Sequence, residues 1–110
     1  MKFTILLFIS FILSACTDRD ADPHDKLMNR IEEQLVLPHG AEPISKYDRF
    51  YTRDGEIVVG TLVLGKSGTH SWVKSIAELP KVFDGGCGVI NVRYSPKSDT
   101  VENVYCNGVA

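Results

Sequence analysis

Several signatures of catalytic chains are missing from this sequence. It has no Cys-x-x-Cys, and His24, His39 and His70 include no pair at the i,i+4 spacing of a helix or the i,i+2 spacing of a strand. Ligands carried on one element need such spacings, so no metal site is expected. There is no Gly-x-Ser-x-Gly, and no serine stands in a strand–turn–helix elbow that would expose a nucleophile. Asp84-Gly85-Gly86-Cys87-Gly88 is rich in glycine but precedes a strand-like run rather than a helix. It therefore lacks the helix N-terminus that cradles phosphate and reads as a tight turn with positive φ. No cofactor is expected. Basic residues are also scarce, with 12 Lys+Arg against 14 Asp+Glu. That balance argues against a nucleic-acid partner and against a polybasic grip on anionic lipid. Internal repeats and low-complexity tracts are absent. The main apolar run, Phe3 to Leu13, falls far short of the ~20 residues a helix needs to cross a bilayer.

What is present begins at the N-terminus. Met1-Lys2 gives a short positive region, Phe3–Leu13 an apolar stretch broken by Thr4 and Ser10, and Ser14-Ala15 the small residues a signal peptidase requires. Two other readings are a secretory signal cleaved near Ala15 without lipid, and a buried helix of a cytosolic protein. Such a helix would be apolar on all sides and would start without a cap. Leu13-Ser14-Ala15-Cys16 resembles the lipobox of bacterial lipoprotein precursors at all four positions. The resemblance implies that residues 1–15 are a lipoprotein signal peptide and that Cys16 becomes a first residue bearing acyl chains such as palmitate. The membrane partner would then be reached through the lipid on Cys16, because stable anchoring takes more than one chain. Thr17 rather than Asp follows Cys16. By the same resemblance, this implies an outer-membrane destination facing the periplasm if the source is Gram-negative.

Residues 16–22 read as a lipidated tether, polar from Thr17 to Asp22, with a reach on the order of 15 Å. Residues 23–110 then form a small α+β domain. Without Lys2, eleven basic residues face fourteen acidic ones, a net charge of −3 with His neutral.

An odd cysteine in an exported protein needs an explanation. With Cys16 lipidated, Cys87 and Cys106 remain as a pair, and an oxidising periplasm favours their bridging. Gly88–Tyr94 and Thr100–Tyr105 read as strands joined by a turn at Ser95-Pro96-Lys97-Ser98. Pairing Tyr94 with Asp99 sets Val92 against Val101, Val89 against Val104, and Cys87 against Cys106. Opposed side chains in antiparallel strands sit near the separation a disulfide needs. The alternative is a reactive Cys87 thiol in an accessible glycine loop, but no basic or His neighbour lies near in sequence to stabilise a thiolate.

Residues 23–36 predict a helix. Asp22 suits the N-cap and Pro23 the first helical position, while Leu27, Met28, Ile31 and Leu35 form one apolar face. Pro38 stops it, within the turn-rich Leu37–Pro43. Ile44–Thr52 reads as a strand, Arg53-Asp54-Gly55-Glu56 as a hairpin turn, and Ile57–Leu64 as a central strand apolar on both faces. Gly60 marks a bulge or a close approach. Gly65–Thr69 turns the chain into a short strand at His70–Lys74, and Ser75–Phe83 is either a short helix or an extended crossover broken at Pro80. The expected fold is α+β: one N-terminal helix packed on a roughly five-stranded antiparallel sheet, with one disulfide. Leu37-Pro38-x-Gly40-Ala41, Tyr47-x-Arg49-x-Tyr51, Asp84-Gly85-Gly86-Cys87 and Cys106-Asn107-Gly108 resemble small uncharacterised exported proteins of proteobacteria. This second resemblance implies no activity.

In a strand, Tyr47, Arg49 and Tyr51 share one face, and aromatic and Arg side chains are common anchors of binding surfaces. The same stripe also suits a half-covered sheet face, with Arg49 paired to Asp48 or Glu56. The sequence therefore points to a non-enzymatic, membrane-anchored envelope lipoprotein acting as a small interaction module. Its partner would be an envelope protein or glycan, bound at Tyr47, Arg49 and Tyr51 and at the loops Gly65–Ser71 and Asp84–Gly86. The alternatives are a thiol-dependent enzyme or redox protein using Cys87, an inhibitor of a cell-wall hydrolase, and an assembly protein with an apolar patch on its uncovered sheet face.

Overall fold

The structure is a computed structural model, and it describes residues 23–108. The expected signal peptide, Cys16 and the tether lie outside the described residues. Helix α1 spans Pro23–Gln34 and so does not stand at the chain's own N-terminus. Its apolar stripe forms as the spacing predicts: Met28 and Ile31 are buried, and Leu27 and Leu35 pack partly buried beside them.

Five strands follow: β1 (Tyr47–Asp54), β2 (Ile57–Leu64), β3 (His70–Trp72), β4 (Val89–Ser95) and β5 (Thr100–Cys106). They form one sheet in the order β3-β1-β2-β4-β5. The sheet is mixed rather than antiparallel throughout, because β3 pairs in parallel with β1, setting Arg49 against His70 and Tyr51 against Trp72. After β2 the chain turns over the start of β1 and descends on its far side, so β1 sits between β2 and β3. Asp48 fixes that turn. One of its carboxylate oxygens accepts the N–H of Ser67 at 3.1 Å and of Gly68 at 2.8 Å, and the Ser67 hydroxyl at 2.5 Å. Gly68 takes φ 62°, and a Cβ there would lie 2.5 Å from the carbonyl oxygen of Ser45. Only glycine meets both demands.

The hairpins also depart from the simplest register. β4 and β5 pair Ile90 with Cys106, Val92 with Val104 and Tyr94 with Val101, not Val92 with Val101 or Tyr94 with Asp99. Arg93 faces Asn103, so Glu102 is an extra residue on β5, a β-bulge. The bulge has a packing cause. Val101 and Val104 are three apart, and strict alternation would put them on opposite faces. With Glu102 bulged out, both pack against the core. Cys87 lies not in the ladder but in a 3₁₀ turn, Gly86–Gly88, which precedes β4. The turn brings it to Cys106 with Cα atoms 4.5 Å apart, and the two cysteines form a disulfide. A bridge across 19 residues contributes about 3 kcal/mol by loop-closure entropy.

The core lies between α1 and one sheet face: Tyr47, Tyr51, Val58, Leu62, Ile90, Val92 and Tyr94 beneath Met28 and Ile31. Gly60 is a close approach and not a bulge, because the β1–β2 register runs unbroken across it. A Cβ at Gly60 would sit 2.5 Å from the ring of Tyr51. Gly60→Ala is therefore expected to destabilise the domain by about 1–3 kcal/mol through overpacking. Gly108→Ala, with open space around it, should leave the denaturant midpoint unmoved.

Candidate functional site

Tyr47, Arg49 and Tyr51 do share one face of β1, but it is the face beneath α1. Both tyrosine rings are 0% exposed. The stripe is thus not a solvent-facing binding surface, and the reason lies in Glu32 of α1. Its carboxylate receives Arg49 Nε at 3.0 Å and Nη2 at 3.0 Å, and the Tyr51 hydroxyl at 2.7 Å. His70 Nδ1 lies 3.1 Å from the same group, while its Nε2 lies 3.4 Å from Asp25. Arg49 also donates to the carbonyl of Gly68 at 2.8 Å, which ties the turn before β3 into the cluster. Arg49 thus pairs with Glu32 rather than with Asp48 or Glu56. Beside the cluster, the rings of His24 and Trp72 stack with centroids 4.1 Å apart.

Burial pushes the Glu32 carboxyl up, but the hydrogen bonds from Arg49, Tyr51 and His70 outweigh it and hold the group below its ordinary value. Burial, reinforced by the Glu32 charge, drives the Tyr51 hydroxyl far up. Arg49, Tyr51 and His70 all meet carboxylates of α1, and the remaining Arg49 donor holds the Gly68 carbonyl, so the cluster's chemical capacity is spent on docking the helix and the turn. Tyr47 is similarly committed. Its hydroxyl donates to the carbonyl of Cys87 at 2.6 Å and accepts from the N–H of Glu42 at 3.1 Å.

The opposite face of the sheet is different. Val59 and Thr61 of β2, Asn91 and Arg93 of β4, and Asn103 and Tyr105 of β5 line a cleft of about 280 Å³, with Leu79 on its rim. Tyr105 is 51% exposed. The segment after β3 crosses this side, where a 3₁₀ turn forms at Ile76–Glu78. Thr52 holds it by donating to the carbonyl of Val73 at 2.8 Å.

Further along lies Phe83, at 96% the most exposed large apolar residue described. Its display is built by one side chain. Asn107 Nδ2 donates to the carbonyl of Val82 at 2.7 Å and to that of Asp84 at 3.1 Å, so the backbone is tied down on both sides of Phe83. Asn107 Oδ1 in turn accepts from Asn91 Nδ2 at 2.7 Å, which links this loop to the cleft. The disulfide closes next to it. Of the two loops expected at a binding surface, Asp84–Gly86 belongs here, whereas Gly65–Ser71 closes over the start of β1.

Cys87 is bonded to Cys106 and offers no free thiol. Among the described residues, no group of three or more His, Cys, Asp or Glu is placed to hold a metal ion, and no helix is long and apolar enough to cross a membrane. Comparison with protein-family models, curated proteins and solved structures finds no match for this chain.

The depressed carboxyl of Glu32 has a consequence for acid stability. A group held below its unfolded value binds fewer protons in the native state, so its contribution is full above the unfolded value and is lost as pH falls through the folded one. Stability is expected to be level above about pH 5.5 and to fall below about pH 4.3, the ordinary glutamate value. Glu32→Gln should lower neutral-pH stability by about 1–3 kcal/mol and flatten that acid slope, read by urea melts across pH.

Proposed function

We propose that this chain is a lipid-anchored envelope lipoprotein of non-enzymatic character whose back sheet face serves as a small binding module. The anchor and envelope address rest on the lipobox-like Leu13-Ser14-Ala15-Cys16. The observation that carries the module is the clamp of Asn107 on both sides of Phe83. An aromatic ring held in water on a fixed backbone costs little further ordering when a partner covers it. Exposed aromatic anchors of this kind carry a large share of interface energy. The same loop also favours a second reading, an inhibitor that inserts Phe83 into the cleft of a cell-wall hydrolase. The reading built on a Cys87 thiol requires the bridge to be open.

Intact mass of the protein extracted from envelope membranes tests the anchor. The expected product begins at Cys16 with two or three acyl chains, and Cys87 and Cys106 are alkylated only after reduction. An unlipidated chain retaining residues 1–15 would remove the anchor from this reading.

Photo-crosslinking tests the module. Benzoylphenylalanine at position 83 should give discrete adducts on irradiation of intact envelopes. The same group at Lys97, on the exposed β4–β5 turn, should give none. Equal labelling at both positions would sink the assignment of the Phe83 face. An adduct that proves to be a hydrolase would favour the inhibitor reading.

A further inference from the structure

Resting on the module reading, we infer that the back-face cleft is a saccharide site that holds one ring unit of a longer oligosaccharide. The chemistry of its lining carries the inference. Asn91, Arg93, Asn103 and Thr61 are gathered around the half-exposed ring of Tyr105, and no carboxylate lines the cleft. A carboxamide presents donors and an acceptor in one plane, which matches neighbouring sugar hydroxyls that both donate and accept. Among the described residues, Asn103 spends no hydrogen bond of its side chain. Asn91 gives its amide to Asn107 and keeps its carbonyl oxygen uncommitted. Tyr105 adds an amphipathic ring, a wet hydroxyl beside an apolar surface on which the C–H face of a sugar can lie.

Size and charge exclude the main competitors for this surface. At about 280 Å³ the cleft falls just below the ~300 Å³ at which sites for drug-sized ligands begin, so it suits a single ring unit. It is too small for the apolar face of a helix. An extended peptide adds at a sheet edge, whereas this cleft opens on a face. Its cation, Arg93, already has Glu102 at 3.3 Å, so a polyanion finds little uncompensated charge. A sugar ring needs none. The floor is also rigid. β2, β4 and β5 are continuous neighbours in the sheet, and the Asn91–Asn107 bond and the disulfide brace its upper end. Such a site gives up little entropy on binding.

The test is a heteronuclear NMR titration of the full chain in detergent micelles, with N,N′,N″-triacetylchitotriose and with maltotriose as separate probes. The expected result is saturable shift changes at Thr61, Asn91, Arg93, Asn103 and Tyr105 with at least one probe. The dissociation constant should be on the order of 1 mM, as a few net hydrogen bonds and one ring contact imply. Tyr105→Ala and Asn103→Ala should each weaken binding about fivefold or more, the size of one lost hydrogen bond or ring contact. Both residues are exposed, and unchanged melting would show that the variants fold. No saturable change up to about 20 mM of either probe, or changes centred on the α1 face, would overturn the saccharide assignment. If the titration is silent while position 83 still forms discrete adducts, the ligand class is wrong and the module stands. If both fail, the module fails with it.

Discussion

The Glu32 carboxylate is the point on which the domain turns. It joins helix, central sheet and edge strand, taking Arg49 and Tyr51 from β1 and His70 from β3. A carboxylate at a helix–sheet junction would cost several kcal/mol if left alone. Here the donors surround it, and each is held by an element that the carboxylate itself helps to hold. The same group also helps to keep the parallel β3 in place once the turn has delivered it. A strand of three residues has little pairing energy of its own, and it stays beside β1 because His70 and the turn before it are tied to Glu32 and Arg49.

A second polar knot holds the opposite side of the helix's last turns. Asp99, in the β4–β5 turn, takes φ 54°, a region that Asp tolerates better than most side chains. Its carboxylate receives Arg30 through Nε at 3.0 Å and Tyr94 at 2.7 Å, and Gln34 bonds both its backbone and its side chain. Hydrogen bonds from Arg30 and Tyr94 hold the Asp99 carboxyl far below its usual range. Helix α1 is therefore fastened on two sides of its last turns, to β1 and β3 through Glu32 and to the β4–β5 turn through Arg30 and Gln34. The apolar stripe between them supplies burial, and the knots supply orientation.

Much of this was legible in the sequence where one residue type at one spacing has one physical meaning. The helix followed from Leu27, Met28, Ile31 and Leu35, the tight turn from Asp54-Gly55, and the bridge from Cys87 and Cys106. The parallel β3 was not legible, because Thr69 to Trp72 carries no mark of its neighbour. What places it is the Asp48 carboxylate folding Ser67 and Gly68 back over β1, a contact between residues nineteen and twenty positions apart. The β5 register did leave a trace, since Val101 and Val104 cannot share a face without a bulge. The fate of Tyr47, Arg49 and Tyr51 turned on Glu32, whose place on the flank of the apolar stripe gives no hint that it is buried. The back-face cleft joins residues from three strands and a loop. Its clearest local sign was Asn107, a short polar residue directly after Cys106, whose partners at Val82 and Asp84 only the fold reveals.

The disulfide shapes how the domain meets proteases. It joins the turn before β4 to the last residue of β5, so it encloses the whole β4–β5 hairpin, including the exposed turn at Lys97 and Ser98. A nick at that turn would cut the chain yet release nothing, because both halves stay covalently joined through Cys87 and Cys106 and remain clasped in the sheet. The hairpin is the part of the molecule that supplies Asn91, Arg93, Asn103 and Tyr105. The cleft can thus outlast a break in its own backbone.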